Sequence, residues 1–278
     1  MKNNYILLIL AVVLCSCSKS HETTAKDLFN EAVEAYMNKH YNKAKNLLDS
    51  VMRTYPECEE IAREAHDFEN IVFRSEQERT LLFLDSLLLK RENEIKTQQE
   101  NFVDVGDRAE VPVYVHKSQT VVRTLDRSTV RGYVDKNGTF YIASCYTGSS
   151  HINHTMLRVA VGDNYITTDT VTNDALNHSF DDGGQVWETV KYKYGSDNGA
   201  AEFIARNYEH RIVLTFEGGI PCTYVMNDVD KQALRDTYYL ALMLRETVQI
   251  KSQIRNVKIT LKNLRNTNNS LLQTANKE

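Results

Sequence analysis

The chain is poor in proline, glycine and tryptophan. Among 278 residues there are 3 Pro, 11 Gly and 1 Trp, so no long Pro- or Gly-rich linker divides it. Cysteine is also sparse, at 5 residues, too few for a dense disulfide framework. No block of basic residues occurs, and the formal net charge is -4. That excludes the usual footprint of a nucleic-acid binder and any grip on anionic lipid by charge. No Gly-rich phosphate loop, nucleophile elbow, Cys-x-x-Cys pair or metalloprotease helix motif is found. No two carboxylates are recognisable as a glycosidase pair. A missing Ser/His/Asp signature excludes less, because triads are assembled in space from distant residues. The apolar run Tyr5–Leu14 is shorter than the roughly 20 residues a permanent transmembrane helix needs.

What remains is ordinary globular material. Hydrophobic residues make up 42% and charged residues 25%, so global disorder is excluded. The length suits one large or two modest domains.

The N-terminus follows the order of a secretory signal: Lys2, the apolar run, then small Ser16 before Cys17. The stretch Leu14-Cys15-Ser16-Cys17 resembles the lipobox of bacterial lipoproteins, with Leu three before the cut, a small residue one before it and Cys after. The resemblance implies a signal peptide over residues 1–16 and lipidation of Cys17, with diacylglycerol on sulfur and a further acyl chain such as palmitate on the amine. Two or more chains anchor stably where one does not. It also implies export, with Ser18 in place of Asp pointing to the outer membrane of a Gram-negative envelope; the leaflet stays open. Residues 17–24 are polar and are expected to form a tether. After cleavage, with Cys17 lipidated, Cys58, Cys145 and Cys222 remain. Cys145 and Cys222 lie in strand-like segments and are open to pairing or to lives as buried thiols.

Residues 25–101 read as helix. They hold no glycine before residue 101 and one proline, Pro56. Ala25–Met37 and Tyr41–Thr54 form an expected helical hairpin. Ala32, Ala44, Tyr41, Leu48, Val51 and the terminal Pro56 together resemble one tetratricopeptide repeat, a unit of about 34 residues. A plain antiparallel helix pair accounts for the same residues. From Glu59 a long helix is expected, with a change of phase near Ser75 readable as a stutter or a short turn.

Residues 102–226 change texture. β-rich runs are Val111–His116, Thr120–Arg123, Thr129–Asp135, Thr139–Tyr146, Leu157–Val161, Tyr165–Thr170, Val186–Tyr194, Arg211–Glu217 and Ile220–Met226. Lys136-Asn137-Gly138 and Gly218-Gly219 are hairpin signals. A short helix is expected over Ala200–Asn207, capped by Asp197 or Asn198. Seven or eight antiparallel strands fit a sandwich or an open barrel. Residues 227–278 then carry a heptad-like seam through Leu240, Met243, Thr247, Ile250 and Ile254, with Asp228 as expected N-cap. The expected fold class is α+β, with this C-terminal helix antiparallel to the N-terminal helices; a homodimeric coiled coil is the rival use of the seam.

Three chemical readings follow. His151 and His154, three apart, are weak candidate metal ligands, with His178, Asp181 and Asp182 as further donors; solvated loop histidines are the preferred account. Trp187, Tyr192 and Tyr194 are candidate ligand-stacking residues. Tyr192 and Tyr194 share a strand face, and Trp187 joins them only across a bulge. No catalytic residue and no cofactor is expected. The resulting expectation is a non-enzymatic, lipid-anchored envelope protein with a β-rich partner-binding domain on a helical stalk. A surface glycan-binding lipoprotein is the alternative and a metal-dependent hydrolase the distant one. Expected partners are the membrane through Cys17, and an envelope protein or glycan; nucleic acid is not among them.

Overall fold

The computed structural model describes residues 21–106, 112–172 and 175–275. The lipobox and Cys17 lie outside them, as does Val111. The described residues form two compact units, one up to residue 86 and again from 252, the other from 87 to 251.

In the first unit, helix α1 (residues 21–37) takes in residues 21–24 of the expected tether. It turns into α2 (Tyr41–Thr54) through Lys39, whose φ of 61° is left-handed. Ala32 and Ala44 are fully buried. Their small side chains let helices approach closely, while Leu48, Val51, Ala65 and Val72 fill the space between. The phase change near Ser75 breaks nothing: α3 runs unbroken over Glu59–Gln99. Ser75 instead lies 3.0 Å from the Tyr36 hydroxyl, in hydrogen-bond contact, with Lys45 and Glu76 paired beside it at 2.7 Å.

The second unit holds the strands. They are β1 (Phe102–Asp104), β2 (Val113–His116), β3 (Thr129–Asp135), β4 (Phe140–Gly148), β5 (Met156–Val161), β6 (Asn164–Thr167), β7 (Asn177–Asp182), β8 (Gln185–Tyr192), β9 (Val213–Glu217) and β10 (Cys222–Val225). Two antiparallel sheets result, ordered β1-β2-β3-β4-β8-β7 and β10-β9-β5-β6. Val130, Ile142, Val190 and Tyr192 of the first sheet share one core with Leu157, Val159, Leu214 and Phe216 of the second. The sandwich is the lower-energy way to cover two apolar faces at once. Both glycine-bearing hairpins form where expected. β7 was not anticipated, because this edge strand is almost wholly exposed and polar.

Thr120–Arg123, read as strand, is helical instead: α4 spans Val121–Thr124. The turn is closed by the Thr124 hydroxyl on the Thr120 carbonyl, and Val122 faces water with no strand to pair with. Just before it, Gln119 replaces a missing strand. β2 pairs β3 only at residues 133–135, so the Gln119 amide takes over, donating to Val130 O at 2.7 Å and accepting from Gly132 N at 3.2 Å.

α5 (Ala200–Arg206) is preceded by left-handed Gly199 rather than by a side-chain cap; Asp197 reaches past it to the Ala201 amide at 3.4 Å. α6 (Asp228–Ala275) starts one residue later than its true N-cap, Asn227, which accepts the Asp230 amide at 2.8 Å and returns its own amide to that carboxylate. Fully buried Asp230 also receives Arg127 and Thr129. Within this unit, α6 runs antiparallel to the end of α3. Arg91 pairs Glu246 at 2.8 Å and Lys251 pairs Glu92 at 2.8 Å, over a core of Ile95, Leu240, Ala241 and Leu244. Among the described residues no helix is long and apolar enough to cross a membrane. Cys58, Cys145 and Cys222 are free thiols, so the Cys145–Cys222 pairing does not form. Cys145 pairs Thr129 and Thr189 inside the first sheet, whereas Cys222 belongs to the second.

Candidate functional site

Alternation along β8 puts Val186, Glu188, Val190 and Tyr192 inside. A glutamate in that apolar phase needs partners, since an unpaired buried carboxylate costs several kcal/mol, roughly 3–5 by loss of one partner. The partners come from the loop before β5. Asn153 is left-handed, with φ 52°, and this bend converges successive amides on the carboxylate. Ile152 N and Asn153 N donate at 2.8 Å each and His154 N at 3.1 Å. Gly219 makes the loop's approach workable: a Cβ there would lie 1.9 Å from Ile152 O, and the Ile220 amide bonds that carbonyl at 2.8 Å.

The side chain of His154 completes a chain of hydrogen bonds. Its Nδ1 lies 2.9 Å from Glu188 and its Nε2 2.9 Å from Ser144 Oγ. Ser144 in turn lies 3.1 Å from the Tyr192 hydroxyl. The carboxylate fixes the tautomer: Nδ1–H donates to Glu188, so Nε2 accepts from Ser144, and Ser144 accepts from Tyr192. Burial pushes the Glu188 carboxyl up, but the bonds from His154 and the three amides outweigh it and hold it at about 2. Burial likewise pushes Tyr192 up to about 12, against the opposing Ser144 and Thr168 hydroxyls.

These are the connections of a serine–histidine–carboxylate relay. The sequence reading held no catalytic constellation, and these residues, 144, 154 and 188, were brought together only by the pairing of β4 with β8 and the 151–155 loop. A nucleophile must nevertheless meet its substrate. Ser144 is 0% exposed and His154 1%, and the Phe216 ring lies 4.8 Å from the imidazole. The chain is therefore a saturated core network.

The metal candidates sit at the same place. His151 lies 3.5 Å from Glu188 and 3.1 Å from Asp181, and the Asp181 hydrogen bond raises its pKa against the pull of burial. Nevertheless, among the described residues no group of three or more His, Cys, Asp or Glu side chains is arranged to hold a metal ion. His154 spends both ring nitrogens on Glu188 and Ser144.

The three aromatic candidates are not brought together. The β4–β8 register runs without a bulge from Ile142↔Tyr192 to Gly148↔Val186, so Trp187 and Tyr192 face opposite ways. Tyr192 is fully buried. Trp187 donates its indole N–H to Leu125 O at 2.7 Å and stacks on Phe180. Tyr194, just past β8, is 92% exposed. It holds a left-handed φ of 57°, followed by Gly195 at 88°.

Tyr194 stands on the rim of a cleft of about 470 Å³ in the second unit, between the β3–β4 turn, the loop into α5, and α6. The turn is seated on α6 by Gly138, where a Cβ would come within 2.5 Å of Ala241 O. Arg245 Nε donates to Gly138 O at 2.9 Å. Phe140 and Tyr238 meet edge to face in the wall. Asp197 and Glu202 supply carboxylates and Asn137 an amide. Burial raises the Asp197 carboxyl, against backbone amides and the charge of Arg245. Burial and then the charge of Glu202 raise the Tyr238 phenol. Comparison with protein-family models, with curated proteins and with solved structures finds no match to this chain.

Proposed function

We propose that the protein is a non-enzymatic, lipid-anchored component of a bacterial envelope that presents its two-sheet unit to a binding partner. The anchor rests on the resemblance of Leu14–Cys17 to a lipobox. The non-enzymatic part is carried by one observation: in the only serine–histidine–carboxylate chain among the described residues, His154 and Glu188 border a cleft of about 440 Å³, but the would-be nucleophile, Ser144, is wholly buried. A binding role instead suits the open cleft beside Tyr194, which the Arg245 guanidinium and the Asn137 amide border.

Cell fractionation tests the anchor. The native chain is expected in the outer-membrane fraction, and Cys17→Ala in the soluble fraction or as uncleaved precursor. A Cys17→Ala protein that is cleaved and still sediments with membrane would overturn it. For the non-enzymatic part, a fluorophosphonate probe is expected to leave Ser144 unlabelled in the folded chain. Labelling that disappears in Ser144→Ala would reinstate a hydrolase.

A further inference from the structure

We propose that the cleft between the Asn137-Gly138 turn, Tyr194 and Arg245 binds a ring of a neutral saccharide. This rests on the binding-protein reading above and names the ligand class.

Four features of the cleft choose this chemistry. Its volume of about 470 Å³ falls within the range of small-ligand sites, about 300–1,000 Å³. Its charged groups are of both signs. Asp197 repels an anion and Arg245 repels a cation, while Glu202 is paired with Arg206, so a net-charged ligand meets opposition either way. The same groups serve an uncharged polyol well. The Asp197 carboxylate and the Asn137 carbonyl accept from hydroxyls, and the terminal nitrogens of Arg245 and the Asn137 amide donate to them. The Tyr238 phenol is bonded to Glu202 and belongs to the wall. The flat element is Tyr194. It is 92% exposed in a backbone conformation that a bulky side chain rarely adopts. Among the described residues no ring or cation stacks on it, and a sugar ring's C–H face would.

Trp187 supplies the internal control. It is the partly exposed aromatic of β8, but its indole is committed to Leu125 O and it belongs to the outward face of the sheet. The two residues therefore separate a cleft ligand from general aromatic stickiness.

The test is calorimetric titration of the full chain, purified in detergent, with maltohexaose, cellohexaose, chitohexaose and, as an anionic probe, polygalacturonate. At least one neutral oligosaccharide is expected to bind. Tyr194→Ala and Arg245→Ala should each weaken it at least tenfold, and Trp187→Ala should leave it unchanged. Because Arg245 also braces Gly138, its variant is judged only alongside an unchanged thermal transition. Tyr194→Ala removes an exposed side chain and carries the test if Arg245→Ala misfolds. Binding of none of the neutral sugars, of polygalacturonate alone, or equal binding by Tyr194→Ala would overturn the inference. A membrane-anchored protein that ignores every sugar sinks only this inference; a sugar-binding protein that stays soluble sinks only the anchor.

Discussion

Two polar sites of the same unit differ in how completely they are satisfied. Around Glu188, three backbone amides and an imidazole converge on one carboxylate, and the chain continues through Ser144 to Tyr192. Around Tyr194, an arginine, two carboxylates and an amide border open space, and the backbone is left-handed at Tyr194, Gly195, Asn198 and Gly199. The first spends its polar groups on the fold. The second spends Glu202 on Arg206 but leaves the Arg245 guanidinium and the Asn137 amide bordering the cleft. Catalytic-looking connectivity is thus a poor guide unless the reactive atom is reachable, and strain beside spare polar capacity is a better one.

If the Glu188 cluster is structural, breaking it should cost stability. Glu188→Gln replaces one acceptor oxygen by a donor facing amides that are already donors. An expected loss of about 4 kcal/mol follows from stranding buried donors, read by denaturant unfolding. A loss under about 1 kcal/mol would mean that water reaches the cluster and that it resembles the cleft after all.

Acid supplies the next largest effect. The Glu188 carboxyl sits at about 2 in the fold against an ordinary 4.5. The depressed value means the folded state favours the charged form. Its contribution is complete above pH 4.5 and is lost as pH falls toward 2, amounting to about 3 kcal/mol. The wild-type chain should therefore lose more stability across that window than Glu188→Gln, which has no carboxyl there. Equal slopes for the two proteins would remove Glu188 as the acid-sensitive group.

A smaller effect is expected from Ser144→Ala, about 2 kcal/mol, because the Tyr192 hydroxyl and His154 Nε2 lose their shared partner. Calorimetric melting reads it. A variant as stable as wild type would show that Ser144 is not held for the sake of the core.

Much of the scaffold was legible because periodicity and turn chemistry are local. The helical hairpin, the two glycine hairpins and the seam of α6 all announce themselves within windows of a few turns. The Glu188 cluster was half legible. A glutamate in phase with Val186, Val190 and Tyr192 marks an inward charge, and the same parity sets Trp187 apart from Tyr192. Its partners were not legible, since Ser144 and His154 reach it through strand pairing and a left-handed Asn153 that no local pattern dictates. The edge strand β7 was missed because edge strands have little apolar phase to show. The cleft joins residues 137, 194 and 245 across a sheet, a loop and a helix, and only the folded chain brings these together.

The smallest expected effect has the opposite sign and bears most directly on the comparison. If Tyr194 is held in a left-handed backbone for a ligand and not for the fold, relieving that conformation should stabilise the free protein. Asn tolerates the left-handed region where a bulky aromatic does not. Tyr194→Asn removes a ring that is almost wholly exposed, so it loses little packing. A gain of about 1 kcal/mol is expected, which for a domain of this size is a rise of about 2–4 °C in Tm. Tyr194→Gly should gain less, because glycine also enlarges the entropy of the unfolded chain. A fall in Tm for Tyr194→Asn would mean the ring contributes to the fold, and the contrast between a saturated cluster and a cleft held ready for a ligand would then collapse at the residue that defines it.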